Sequence, residues 1–428
     1  MFRNIVFENK IKMNKLITVF LIFFSVSIIA QRTCGTDAKI KERVQTVPGF
    51  EAHHKEIMEF IHNPNHKQSL FSRQSSSLAT VVTIPVVFHI LYKNANQNIS
   101  EAQIQSQLDV LNKDYRKLNT DFNTVVPTAF KALGADMEIV FCKATKTPTG
   151  ATTTGITRKS IPSNFSFDND YYTASGQPAW DTTRYLNIWV GSFTDTSLLG
   201  FAYPPSSAGS DDDGLCISYK TFGTTGTALS PFNKGRTATH EIGHYFGLYH
   251  PWGQDGSTCG SGANSDFVSD TPATSDPYYD CPTFPDNTNA CTSSTNGSMF
   301  MNYMEYVNDA CMAFFTAGQK TIVRNALSGP RLSLLSSNGC GTLGLNEYEA
   351  VNAIAVYPNP VTSYFMITSP QVQIDEVEVY NALGQLVKTQ KLIQTNNVID
   401  IQDLASGTYY LRIYNEGKFL KSDKIIKK

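Results

Sequence analysis

The eleven residues from His240 to His250, His-Glu-Ile-Gly-His-Tyr-Phe-Gly-Leu-Tyr-His, constrain this chain more than any other stretch. His240 and His244 stand four apart, so a helix projects both from one face and lets them grip a single metal ion. Glu241 lies one step round that helix, within reach of a metal-bound water without ligating the metal. Gly247 can take the positive φ that ends a helix, and Pro251 cannot continue one. The backbone is therefore free to turn back and deliver His250 from another direction. Three imidazoles with one open water position describe a catalytic zinc site, whereas a closed structural site uses four protein ligands. The spacing predicts a metal-binding helix over residues 237–248.

At 428 residues the chain exceeds one ordinary domain and divides into roughly two to four pieces. Charged residues are 17% and the net charge is -2, so no basic field invites nucleic acid. A hydrophobic content of 41% supports real cores. At the N-terminus Lys10, Lys12 and Lys15 precede an apolar run from Leu16 to Phe24, extended by Val26, Ile28, Ile29 and Ala30. The run is shorter than a membrane span and ends at a small residue, so residues 1–30 read as a cleaved signal peptide, with Met13 as a second possible start. No other stretch is apolar and long enough to span a bilayer, so the mature form is expected without a transmembrane segment. Eight cysteines outside the reducing cytoplasm then point to disulfides. Cys259, Cys281, Cys291 and Cys311 fall in a Gly-, Ser-, Asp- and Asn-rich stretch after the metal motif, and sequence alone permits three pairings among them.

Residues 31 to about 80 carry few helix or strand signals and read as a linker or pro-segment. Strands are expected at 83–92, 137–144, 185–190 and 215–219, and helices at 100–118, with Ser100 as N-cap, and at 317–335. The order is that of an α/β (α+β) body. From Val351 short strand-like runs such as Val377–Tyr380 and Tyr409–Tyr414 alternate with turn signals, which describes a small all-β sandwich. The expected domains are a signal peptide (1–30), a pro-segment (31–73), a catalytic domain (74–340), a linker (341–350) and a C-terminal β domain (351–428).

The metal motif with Gly247 and a third His250 resembles the metzincin metallopeptidases. Asn302-Tyr303-Met304-Glu305-Tyr306 is similar to their methionine-containing turn, with Met304 beneath the metal. Tyr306, His250-Pro251-Trp252, Ser269-Asp270-Thr271-Pro272 and the strand Ile84–His89 narrow the resemblance to the pappalysins, also called cytophagalysins, over roughly residues 80–335. An astacin-like enzyme and a non-catalytic surface adhesin on the same fold are the alternatives. Intact Glu241 argues against the adhesin, which needs no general base.

The resemblance implies a metzincin catalytic domain and a secreted zinc endopeptidase. It implies that His240, His244 and His250 hold Zn²⁺, that Glu241 serves as base toward the attacking water, and that Tyr306 engages the developing oxyanion or the metal itself. Asp309 stands where arginine-selective members carry an acid at the base of the S1′ pocket, which implies a preference for Arg or Lys at P1′. The family pattern pairs Cys259 with Cys291 and Cys281 with Cys311, and it places a structural Ca²⁺ at Asp266 and Thr271. Arg32-Thr33-Cys34-Gly35-Thr36 resembles the pro-segment motif whose thiolate fills the open zinc position and keeps the zymogen latent, with activation expected near Arg73. Cys142, Cys216 and Cys340 then remain, an odd number that means either that one thiol stays free or that one of these assignments is wrong. Val356–Pro360, Val379–Gln385, Gly407–Leu411 and the terminal lysines resemble the sorting domain of type IX secretion. The implied partners are protein or peptide substrates and the type IX machinery, and the implied location is outside the cell, secreted or surface-attached.

Overall fold

The computed structural model describes residues 31–63, 81–253, 259, 266–340, 354–369, 374–392, 398–415 and 418–428. The expected signal peptide, the Arg73 region and the linker at 341–350 lie outside them. Among the described residues no helix is long and apolar enough to cross a membrane.

A seven-stranded sheet organises the body. Strand β2 (Val82–Tyr92) is buried along nearly its whole length, as an unbroken apolar run requires of a strand covered on both faces. On one side its first half pairs with β3 (Ile139–Lys143) and its second half with β4 (Ile156–Ser160). On the other side lies β5 (Leu186–Gly191), followed by β7 (Leu215–Ser218), all parallel. Strand β6 (Leu198–Ala202) runs antiparallel to β7, and β1 (Thr33–Cys34) pairs in parallel with its outer edge.

The N-terminal segment corrects the sequence expectation. Residues 31–62 are not a featureless linker: β1 leads into α1 (Thr36–Thr46) and α2 (Phe50–His62). Phe50, Ile57, Met58 and Ile61 form one buried stripe of α2, the spacing of a helix packed on a surface. In the body, α3 (Glu101–Asp114) starts at Ser100, whose hydroxyl accepts from Gln103 N at 3.2 Å. One-turn helices α4 (Phe122–Val125), α5 (Thr128–Lys131) and α6 (Phe167–Asp170) join the larger elements. The metal-motif helix is α7 (Arg236–Tyr245). The expected helix over 317–335 is shorter, because α8 (Ala317–Ser328) gives way at Gly329-Pro330 to a 3-10 turn over Leu332–Ser336.

Disulfides join Cys259 to Cys291, Cys281 to Cys311, and Cys142 to Cys340, while Cys34 and buried Cys216 are free thiols. The last bridge ties β3 to the end of the body across 198 residues of sequence.

The C-terminal strands form two antiparallel sheets. One holds β8 (Ala355–Tyr357), β9 (Tyr364–Thr368) and β12 (Val398–Asp400), and the other β10 (Glu376–Asn381), β11 (Leu386–Lys391), β13 (Gly407–Asn415) and β14 (Lys418–Lys427). Both contribute to one apolar cluster that includes Phe365, Val377, Ile399, Leu411 and Ile425. The period-2 alternation of β13 puts Tyr409, Leu411 and Ile413 inside.

Candidate metal centre

The site is built from the end of α7. Leu248 N bonds Gly243 O at 3.0 Å and Gly247 N bonds His244 O at 2.8 Å, with Gly247 at φ 91°. This is the Schellman arrangement that a glycine permits. It leaves Leu248 O 2.7 Å from His244 Nδ1 and sends the chain round to His250. Below the helix, a Cβ at Gly243 would come within 2.4 Å of Met304 Sδ, so the absence of a side chain there lets the methionine turn sit directly beneath the imidazoles. Met304 is fully buried.

The three Nε2 atoms of His240, His244 and His250 lie 3.1, 3.0 and 3.3 Å from one another. His240 Nδ1 faces Tyr303 O at 2.8 Å, and His244 Nδ1 faces Leu248 O. Those carbonyls fix the protons on Nδ1, so the Nε2 lone pairs converge on a common point. Burial holds His240 well below the ordinary imidazole range and His244 down to about 3, which keeps both neutral, the form that binds metal. A zinc–nitrogen length near 2.0–2.1 Å gives a tetrahedron edge of about 3.3–3.4 Å, close to the observed triangle. The residues present fit a zinc ion.

Cys34 completes the cluster, with one ligand atom from each of Cys34, His240, His244 and His250 within 4.8 Å of every other. Its Sγ lies 3.2 Å from Glu241 Oε2, and its N–H donates to Tyr306 Oη at 3.3 Å. The Thr36 hydroxyl also donates to Glu241 Oε2, at 3.3 Å, and accepts from Ala202 N at 2.9 Å. Burial pushes the Glu241 carboxyl up to about 8 and, with the Glu241 charge beside it, pushes the Cys34 thiol well up. His250 Nδ1 stands 3.2 Å from Asp37 Oδ2, and its ring stacks on Trp252 at 4.5 Å and 5°.

Asp309 lies at the other end of α7, where its Oδ2 accepts from Lys234 N at 2.8 Å and Arg236 N at 3.3 Å. The helix N-terminus thus stabilises the carboxylate. Arg236 braces the same corner, pairing with Asp121 at 2.7 Å and donating to Asp309 O at 3.0 Å. The remaining oxygen of Asp309 takes Arg32 Nη2 at 2.5 Å, with both side chains essentially inaccessible. Arg32 also reaches Thr237 Oγ1 at 3.4 Å and lies over the Phe232 ring, 5.1 Å from its centroid.

Asp266 and Thr271 are together and buried: the Thr271 hydroxyl donates to Asp266 Oδ2, and Val268 N donates to Oδ1 at 3.0 Å. Sequence reasoning quoted Arg32 and Thr36 only as part of the motif around Cys34, without roles of their own, and missed Asp37, because their partners lie more than 160 residues away.

The sheet, the metal helix and the methionine turn define a zinc-dependent metalloendopeptidase of the metzincin kind. The family model for pregnancy-associated plasma protein-A matches residues 171–328, and that for the secretion-system C-terminal sorting domain matches 355–428. A mutant of promirolysin from Tannerella forsythia is 40% identical, covering 71% of this chain and 97% of that one, with a TM-score of 0.62. Mature mirolysin from the same organism, in complex with a cleaved peptide, is 45% identical over 60% of this chain and 96% of its own, with a TM-score of 0.57. An extracellular metalloprotease of Colletotrichum graminicola is 29% identical over 71% of this chain and 93% of its own length. The chain belongs to the pappalysin family of metzincin metallopeptidases. It is a secreted enzyme whose C-terminal module is a type IX sorting domain.

Proposed function

We propose that this chain is the latent form of a secreted zinc endopeptidase that cleaves before Arg or Lys, and that residues 31–73 are its pro-segment. The observation that carries this reading is the pair of contacts two residues apart: Cys34 against the three imidazoles and Arg32 against Asp309. A basic side chain already occupies the acidic pocket beside the metal position, as a substrate side chain at P1′ would. The planar fork of arginine suits Asp309, and the Phe232 face favours a cation over an apolar group.

Zinc held by His240, His244 and His250 would supply Lewis acidity toward the scissile carbonyl and toward water. Glu241 takes the proton from the attacking water and hands it to the leaving amine, a role that suits a carboxyl with its affinity for protons raised by burial. The Tyr306 hydroxyl donates to the oxyanion as charge develops there. In the latent form Cys34 and Thr36 both bond Glu241 and Cys34 N–H engages Tyr306, so base and oxyanion donor are occupied together. Met304 supports the floor without ligating.

The remaining segments in this reading are the signal peptide at 1–30, the catalytic domain at 74–340, the linker at 341–350 and the sorting domain at 351–428. A calcium ion at Asp266 and Thr271 belongs to the same reading. Burial pushes the Asp266 carboxyl up to about 7, and among the described residues no basic side chain pairs with it, so a hard cation would relieve its desolvation. The test is Cys34→Ala in the full chain, assayed on peptides with Arg, Lys or Leu at P1′. Early activity with Arg or Lys preferred is expected. Unchanged latency refutes the switch, and a preference for Leu refutes the pocket.

A further inference from the structure

A second guanidinium is seated in the body, on the opposite side of the metal position from Arg32. Arg43 of α1 donates from Nη1 to Ser207 Oγ at 2.9 Å and from Nη2 to Asp212 Oδ1, and its carbon centre lies 4.0 Å from the Tyr203 ring centroid. Phe50 of α2 lies 5.7 Å away on the N-terminal segment's own side. The receiving groups are preorganised by the body alone. The Ser210 hydroxyl donates to Asp212 Oδ1 at 2.8 Å, Tyr171 Oη donates to Asp212 O at 3.0 Å, and Ser207 is buried in a 3-10 turn. Carboxylate, hydroxyl and aromatic face converge on one planar cation, and the two acceptors take different guanidinium nitrogens. A lysine ammonium cannot match that two-pronged geometry.

The place of this seat follows from the strand register. Thr33 stands opposite Leu198, Cys34 opposite Gly200, Gly35 N bonds Gly200 O, and Ala202 N bonds the Thr36 hydroxyl. Moving along β6 from Leu198 toward Tyr203 therefore leads away from the Arg32 pocket. If Asp309 receives P1′, that direction leads to substrate residues before the cut. Tyr203 is three residues beyond Gly200, about 10 Å at about 3.3 Å per residue, which is the reach of the third residue upstream in an extended peptide.

We infer that Tyr203, Ser207 and Asp212 form a substrate subsite for an arginine about three residues before the scissile bond, filled by Arg43 until the N-terminal segment is removed. The inference rests on the reading of residues 31–73 as a removable pro-segment. Basic side chains of that segment then occupy selective seats on both sides of the metal: Arg32 on the primed side and Arg43 on the other.

The test uses the full chain after activation, with N-terminal sequencing of the active product. Peptides share Arg at P1′ and carry Arg, Lys, Leu or Glu at each of the second to fourth positions upstream. For the wild type, kcat/KM is expected to be about tenfold higher with Arg than with Leu at the third position, the sum of a partly exposed ion pair and a cation–π contact. In Asp212→Asn that ratio falls to about threefold, the share left to the cation–π contact with Tyr203, and in Asp212→Lys the peptide with Glu becomes preferred over that with Arg. A wild type indifferent to charge at all three positions overturns the inference, while a second peptide set with Lys or Leu in place of Arg at P1′ reports separately on Asp309. An active product that retains Arg43 overturns both the subsite and the pro-segment reading.

Discussion

Replacing Arg32 with Gln tests how much of the latency resides in the acidic pocket rather than in the thiol. The Arg32–Asp309 pair is buried, with side-chain exposures of 1% and 0%. Removing one partner of such a pair costs roughly 3–5 kcal/mol, chiefly because the other charge is left desolvated. Asp309 keeps its bonds from Lys234 N and Arg236 N at the start of α7, so the lower end, about 3 kcal/mol, applies. On the proposed reading, in which the N-terminal segment docks on a body that folds without it, this loss appears as a shift in the docking equilibrium. At about 1.4 kcal/mol per decade, the open fraction rises about 100-fold. The assay is residual peptidase activity of the unprocessed full chain, expressed as a fraction of the activity after processing, with a thermal melt to show that the body is intact. A rise near two decades, with Cys34 present, is expected. A rise below about threefold, in a chain where Cys34→Ala does unleash activity, refutes the argument, because the pair would then contribute nothing to docking.

Three further outcomes follow from the structure. His54 and His62 of α2 are held down to about 4 by burial, against an ordinary 6.5, so docking is fully favourable above pH 6.5 and weakens as pH falls from 6.5 toward 4. Hydrogen exchange of the α2 amides should accelerate over that window; His62→Phe, which keeps the stack on Tyr249 at 4.9 Å, should flatten the dependence, and pH-independent exchange in the wild type counts against it. Arg331 is buried with Asp213 at 2.9 Å and donates to Tyr245 O at 2.6 Å, at the end of the metal helix. Arg331→Met should lower the Tm by roughly 10 °C, and the double change with Asp213→Leu should recover part of the loss, since the orphaned carboxylate carries much of the penalty. A calcium chelator that spares zinc should lower the Tm of the wild type but not of Asp266→Asn; equal melts with and without chelator would remove calcium from the reading.

The metal motif was legible because its chemistry is local. Two imidazoles on one helical face, a glycine at the stop and a third imidazole after it are all specified within one turn-and-return of chain. Ser100 was legible for the same reason, since an N-cap is read from its immediate neighbours. The N-terminal segment was not read as structure, although Phe50, Ile57, Met58 and Ile61 have helical spacing. The histidines and glutamates between them masked the stripe, and its stability comes from the surface it covers rather than from propensity. Strand β4, Ile-Thr-Arg-Lys-Ser, was missed because only one face is sheltered, and β6 because Gly200 interrupts its apolar run. Arg32 was invisible as a site residue for a different reason: an arginine two positions before a cysteine carries no sign that its partner stands 277 residues away.

The parallel pairing of β1 with β6 has a consequence for the enzyme once processed. While β1 is in place, Gly200 O and the side of the sheet facing it are engaged by the chain's own segment. If that segment is removed as proposed, β6 becomes a bare edge with unsatisfied donors and acceptors, the part of any sheet most prone to recruit another strand. Among strands it can recruit are exposed loops of sister molecules. Processing therefore carries a concentration hazard, in which crowded, freshly processed copies clip or cling to one another. Delaying it until the chain has been diluted outside the cell leaves substrate as the commonest strand on offer.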